Sequence, residues 1–199
     1  ISPAGSVAAA VLIEGSTDGT VRECGITGPF YVGVETLNSN GTRIIDNTLS
    51  GCVNRAIYVY GASGTDSHTL VQGNKIFGNS LTDYGINCNG SIAGSITNLR
   101  ILGNTIQGVI AQGIGLGGSV RDSVISSNSL SALGTIATGI LLSFANGNAF
   151  LNATVSSNTI FTAGTGIDLI SGNAVTLMGN IVDNVVVGLR VRRATSSVC

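Results

Sequence analysis

The chain has 199 residues and a net charge of −1, with 10 % charged residues, 5 % aromatic residues and no Trp. This balance excludes a basic nucleic-acid footprint, and a hydrophobic share of 43 % excludes a disordered chain. Gly is abundant, at 29 residues, but follows no Gly-X-Y period, which excludes collagen, and no run of 18 apolar residues offers a transmembrane helix.

The first apolar run, residues 7–13, has no cationic segment before it and stops at Glu14, so it reads as a strand and not as a signal peptide. Opening on Ile1 rather than Met, the chain is expected to be a processed product or an excerpt of a longer one, here a single domain over 1–199. Val21 then stands three residues before Cys24-Gly-Ile26, and Tyr31-Val-Gly-Val34 follows. This pair of segments returns six times. Ile44 and Asn47-Thr-Leu49 lead to Ala56-Ile-Tyr-Val59; Val71 and Asn74-Lys-Ile76 lead to Gly85-Ile-Asn-Cys88; Ile101 and Asn104-Thr-Ile106 lead to Gly113-Ile-Gly-Leu116. Ile125 and Asn128-Ser-Leu130 lead to Gly139-Ile-Leu-Leu142; Val155 and Asn158-Thr-Ile160 lead to Gly166-Ile-Asp-Leu169; Leu177 and Asn180-Ile-Val182 lead to Gly188-Leu-Arg-Val191.

The corner positions 24, 47, 74, 104, 128, 158 and 180 lie 23, 27, 30, 24, 30 and 22 residues apart. Short alternating strands in units of variable length define an all-β solenoid of about eight coils, because stacked strands are fixed while turns tolerate insertions. Each coil adds one strand spacing, about 4.8 Å, and buries its Ile, Val and Leu on their copies in the next coil. The corner Asn amides are expected to bond to one another up the stack, and a Gly or Ser commonly precedes them where the backbone turns tightly. The long connections, residues 61–68, 89–98 and 143–152, leave from one corner and should gather on one side. The four cysteines fit no zinc spacing; Cys24 and Cys88 are expected to point inward as free thiols, which points to assembly in a reducing cytoplasm. No metal or cofactor is called for.

Asn-x-Ile with Gly-Ile-x-Leu at this spacing resembles the right-handed parallel β-helix superfamily of pectate lyases, polygalacturonases, mannuronan epimerases and bacteriophage tailspikes. Within it the chain is most similar to a tailspike or tail-fibre fragment. That resemblance implies a single-stranded right-handed parallel β-helix, a homotrimer, recognition of a bacterial surface polysaccharide with its cleavage left open, and a place in the virion tail. The epimerase Asp-Pro-His-Glu, the paired-Asp polygalacturonase motif and the calcium-binding Gly-Gly-x-Gly-x-Asp repeat are all missing. Two other readings stay open: a secreted, monomeric polysaccharide lyase or hydrolase, and a non-catalytic structural or adhesive solenoid. No nucleic-acid or membrane partner is expected.

Carried through the repeat, the outward rows of the Gly-Ile strand run Gly33, Tyr58, Asn87, Gly115 and Glu35, Tyr60, Asn89, Gly117. Tyr58, Tyr60, Asn87 and Asn89 form a candidate sugar-binding patch, since aromatic faces pack on sugar rings and amides bond hydroxyls. Glycoside hydrolysis needs two carboxyls flanking a bond, for which Glu35 and Asp66 are the candidates. His68, the single histidine, stands on the loop beside them as a binding residue or base, although a lone loop His is usually just solvated. Asp168 and Arg190 fall on adjacent coils as a cross-strand ion pair. On the Asn side, Ile45, Leu70, Leu102, Val124 and Met178 point outward, an apolar face that partner chains or a flanking segment should cover.

Overall fold

The computed structural model describes residues 8–91, 93–143, 151–192 and 194–195. Every paired strand is parallel to its neighbour one coil away, and no helix is present among these residues. Each turn carries a long strand, a strand of a middle sheet and a strand that follows the corner Asn. The long strands are Ala9–Glu14, Val32–Leu37, Arg55–Gly61, Tyr84–Gly90, Gln112–Gly118 and Thr138–Ser143, continued by the second halves of Thr159–Leu169 and Ile181–Val191. The eight copies of this strand and seven of the corner give about seven full turns.

The interior is four stacked aliphatic rows. Val34, Ile57, Ile86, Ile114, Ile140 and Ile167 lie in register on the long strands, with Val59, Cys88, Leu116, Leu142 and Leu169 two residues on. Val21, Ile44, Val71, Ile101, Ile125, Val155 and Leu177 come from the middle sheet, and Ile26, Leu49, Ile76, Ile106, Leu130 and Ile160 from the Asn strands. All of these are buried. Each buried aliphatic side chain contributes about 1.5–3 kcal/mol relative to exposure, and a coil gains it only by stacking.

The glycine of the Gly-Ile motif has a packing cause. A Cβ on Gly85, Gly113, Gly139 or Gly166 would meet the branched side chain of Ile106, Leu130, Ile160 or Val182 at 2.3–2.7 Å. The Asn-strand aliphatics fill the space where that side chain would stand. The corner behaves as its sequence suggests: the residue before every ladder position (Glu23, Asp46, Gly73, Gly103, Ser127, Ser157 and Gly179) has φ between 53° and 66°. From Asn47 to Asn158 each corner Asn donates Nδ2 to the Oδ1 of the next, at 2.9–3.0 Å, and that Oδ1 also accepts the backbone N–H beside the donor. The ladder satisfies buried polar groups that the tight corner would otherwise strand.

Four expectations need correction. The first long-strand copy is shifted by two residues: Val34 pairs with Ile57, and Glu35 with Tyr58 rather than Tyr60. The connections 61–68 and 89–98 are not free loops, because Thr65–Ser67 pairs with Ser95–Thr97, which in turn pairs with Val120–Ser126, as an extra strand row; most of 143–152 lies outside the described residues. Cys24 is exposed, since it stands at the open end of the ladder, while Cys88 and also Cys52 are buried free thiols. Burial pushes the Cys52 thiol up to about 11 and Cys88 well above the ordinary range. Cys199 lies outside the described residues. The apolar side chains on the middle sheet do point outward, but they form no continuous patch. Their rows read Thr20, Arg43, Leu70, Arg100, Val124, Thr154, Thr176 and Arg22, Ile45, Gln72, Leu102, Ser126, Ser156, Met178.

Candidate functional site

The outer face of the long strands carries the expected patch. Parallel register sets Leu12, Glu35, Tyr58, Asn87, Gly115, Leu141, Asp168 and Arg190 side by side on successive coils. A second row holds Glu14, Leu37, Tyr60, Asn89, Gly117 and Ser143. Because side chains alternate along a strand, both rows face out while Ile57 and Val59 face in.

Tyr58 and Tyr60 stack with ring centroids 5.2 Å apart and planes 15° from parallel. The Arg55 guanidinium lies 4.4 Å from the Tyr58 centroid and 5.2 Å from that of Tyr84, a double cation–π contact. Arg55 also donates Nε–H to Asn87 Oδ1 at 3.2 Å and bonds Asn54, whose amide holds Asp83 at 2.7 Å. Burial pushes the Tyr58 hydroxyl up to about 12 against the opposing Arg55 charge, and Asn89 hydrogen-bonds it. The patch is therefore a rigid platform of three tyrosine rings clamped by one guanidinium. Beside it runs a groove of about 290 Å³ lined by Arg55, Tyr84, Asn87, Asn89, Gln112 and Ser143 among others. Its floor includes Gly117 and Gly118, which carry no side chains. At Gly118, with φ +70°, a Cβ would lie 1.7 Å from the Gly90 carbonyl oxygen, so this corner admits only glycine.

The two candidate acids are not brought together. Glu35 is half-buried on the outer face beside Tyr58; burial raises its carboxyl, Arg55 opposes this and Glu14 adds to it. Asp66 is 0 % exposed and points into the interior. It accepts hydrogen bonds from Thr36 Oγ1 at 2.9 Å, Thr69 Oγ1 at 2.5 Å and the Ser39 N–H at 3.3 Å, yet burial still holds its carboxyl above the usual range. The expectation that Glu35 and Asp66 flank a sugar bond is therefore corrected: Asp66 pairs in register with Ile96, an inward position, and cannot touch a polymer outside. His68 is exposed at the far edge of the extra strand row, where it contacts Asn40 and Asn98 and not the tyrosine platform.

Further along the face, Asp168 pairs with Arg190 as the repeat suggested, and sequence reasoning missed its second partner, Arg192. Burial pushes the Asp168 carboxyl up, but the hydrogen bonds and charges of Arg190 and Arg192 outweigh it and hold the group below its ordinary value. Arg55 was also missed, although the row Val32, Arg55, Tyr84, Gln112 is visible once the register is fixed.

The family sequence pattern described as "Right handed beta helix region" matches residues 4–152, about three quarters of the chain. The chain belongs to this family. The stacked rows and the corner ladder described above are thus those of a right-handed β-helix. Comparison with curated proteins gives no match.

Proposed function

We propose that this β-helix protein binds a polysaccharide on the outer face of its long strands, at Tyr58, Tyr60, Tyr84, Asn87 and Asn89. The observation that carries the reading is the clamped tyrosine stack beside a glycine-floored groove lined with amides. Rigid aromatic faces offer apolar area to sugar C–H surfaces at low entropic cost, and the amides supply paired donors and acceptors for hydroxyls. Retention on immobilised bacterial surface polysaccharides tests it: Tyr60→Ala is expected to weaken binding at least tenfold without changing the unfolding midpoint. Equal retention by wild type and variant would overturn the reading.

The finer reading is a phage tailspike-like attachment protein, carried in the virion tail and assembled as a homotrimer. Interior free thiols and a low-charge outer surface support it. Light scattering then gives about three times 20.0 kDa; a value near 20.0 kDa contradicts the trimer and favours a secreted monomer. A hydrolytic variant of the same reading has one specific support. Glu35, with its carboxyl raised by burial, has the character of a general acid, and Glu14 on the same face influences it. In that case Glu35→Gln abolishes release of reducing ends while leaving retention intact, and Asp66 takes no part.

A further inference from the structure

A second groove, of about 480 Å³, lies on the middle sheet, on a different wall of the solenoid from the tyrosines. It is lined by Arg43, His68, Leu70, Asn98, Arg100, Asp122 and Val124. Arg43, Leu70 and Arg100 occupy the same outward position on three successive coils. The two arginines therefore stand two strand spacings apart, about 10 Å at their backbones, on either side of one leucine. Arginine side chains can close over such a gap from both sides.

These arginines are free to act on something else. In a chain with only 10 % charged residues, neither makes an ion pair among the described residues, whereas Arg22, Arg190 and Arg192 do. The one acid in the lining, Asp122, is engaged by the Asn152 amide at 2.9 Å. His68 is held between Asn40 Oδ1, 3.3 Å from Nδ1, and the Asn98 amide nitrogen, 3.4 Å from Nε2. These contacts hold the ring in place and fix the rim of the groove. The lining thus carries two positive groups against one negative. Further along the same row come Thr154 and Thr176, and the next row sets Gln72, Ser126 and Ser156 about Leu102.

We propose that this groove is a subsite for an acidic glycan, in which Arg43 and Arg100 close on one carboxylate or sulfate group seated over Leu70. Guanidinium forks match planar or tetrahedral oxyanions through paired charge-assisted hydrogen bonds. A net charge of −1 for the chain and the small size of the basic patch favour a single acidic group on a sugar chain over a nucleic-acid backbone. The neighbouring Thr and Ser hydroxyls, the Gln72 amide and the apolar Leu102 suit the uncharged part of such a polymer. This subsite does not depend on the tyrosine face.

The test is calorimetric titration at low salt with three oligosaccharides of equal length: a sulfated dextran, an oligogalacturonate and neutral dextran. Binding of the sulfated probe, the uronate probe or both, with no heat from neutral dextran, supports the proposal and identifies the acidic group. Arg43→Gln and Arg100→Gln are each expected to weaken that binding about tenfold, as for loss of one charge-assisted contact, and the pair to abolish it. Arg100→Lys should retain part of it. Both arginines are exposed, so the variants should keep the wild-type unfolding midpoint. Tyr60→Ala is expected to leave acidic-probe binding at this groove intact, which separates its failure from failure of the tyrosine-face reading. No binding of either acidic probe, equal binding of neutral dextran, or affinity unchanged in the double variant would overturn it.

Discussion

Thr36 and Asp66 explain each other. Both are fully buried, and the Thr36 hydroxyl donates to Asp66 Oδ2 across the interior. The pair also shows why the candidate site was only partly legible. A period-two pattern fits equally well after a shift of two, and Val32 and Val34 filled the two inward slots better on hydropathy than Val34 and Thr36 do. That slip put Glu35 beside Tyr60. The same blindness made Asp66 look like a surface acid, because nothing in residues 61–68 announces that its strand turns the carboxyl toward Thr36 and Thr69. Asp66 has a consequence for stability. Its carboxyl is raised above the unfolded value, so the folded state binds the extra proton, and stability falls as pH rises through the raised value. Urea unfolding from about pH 4 to about pH 7 should show this fall in the wild type and a smaller one in Asp66→Asn. An identical pH profile in both would contradict the assignment. Asp168, held below its ordinary value by its arginines, acts in the opposite sense and at lower pH: its contribution is present above the unfolded value and is lost on acidification.

At the scale of elements, the ladder and the aliphatic rows were the most legible features, because repetition removes the ambiguity of any single strand. An Asn followed two residues later by Ile, Leu or Val says little once; in six of seven corners it fixes the turn, the register and the direction of the interior. The extra strand row escaped because its strands are only three residues long and Thr65–Ser67 is wholly polar; it is held by pairing with Ser95–Thr97, which in turn pairs with Val120–Ser126. The ladder's energetic weight is testable. Asn104→Ala removes the acceptor for both the backbone N–H and the Nδ2 of Asn74, and the donor to Asn128 Oδ1 and to the Val71 carbonyl. Leaving buried amide hydrogens unpaired costs about 1–3 kcal/mol each, so a total loss of about 3 kcal/mol or more is expected in urea unfolding. A loss below about 1 kcal/mol would mean that water replaces the ladder bonds.

For the whole molecule, the right-handed β-helix is a rod whose walls differ in chemistry. One wall offers clamped tyrosines and a glycine-floored groove, and another offers two unpaired arginines. Stacking fixes the backbone of both, so the face chemistry can vary without altering the interior. This is also why the repeat makes the fold legible and leaves the activity to individual outward residues. The central claim is that sugar packs on the Tyr58–Tyr60 stack, and the chain's own fluorescence can decide it. There is no Trp, and Tyr58, Tyr60 and Tyr84 are three of only four tyrosines, so emission reports chiefly on this face. Titration with a polysaccharide retained by the wild type should change tyrosine emission saturably and shield it from acrylamide quenching, and Tyr60→Ala should weaken both effects. A polysaccharide that is retained while tyrosine emission and its quenching stay unchanged would place the sugar elsewhere and contradict the claim.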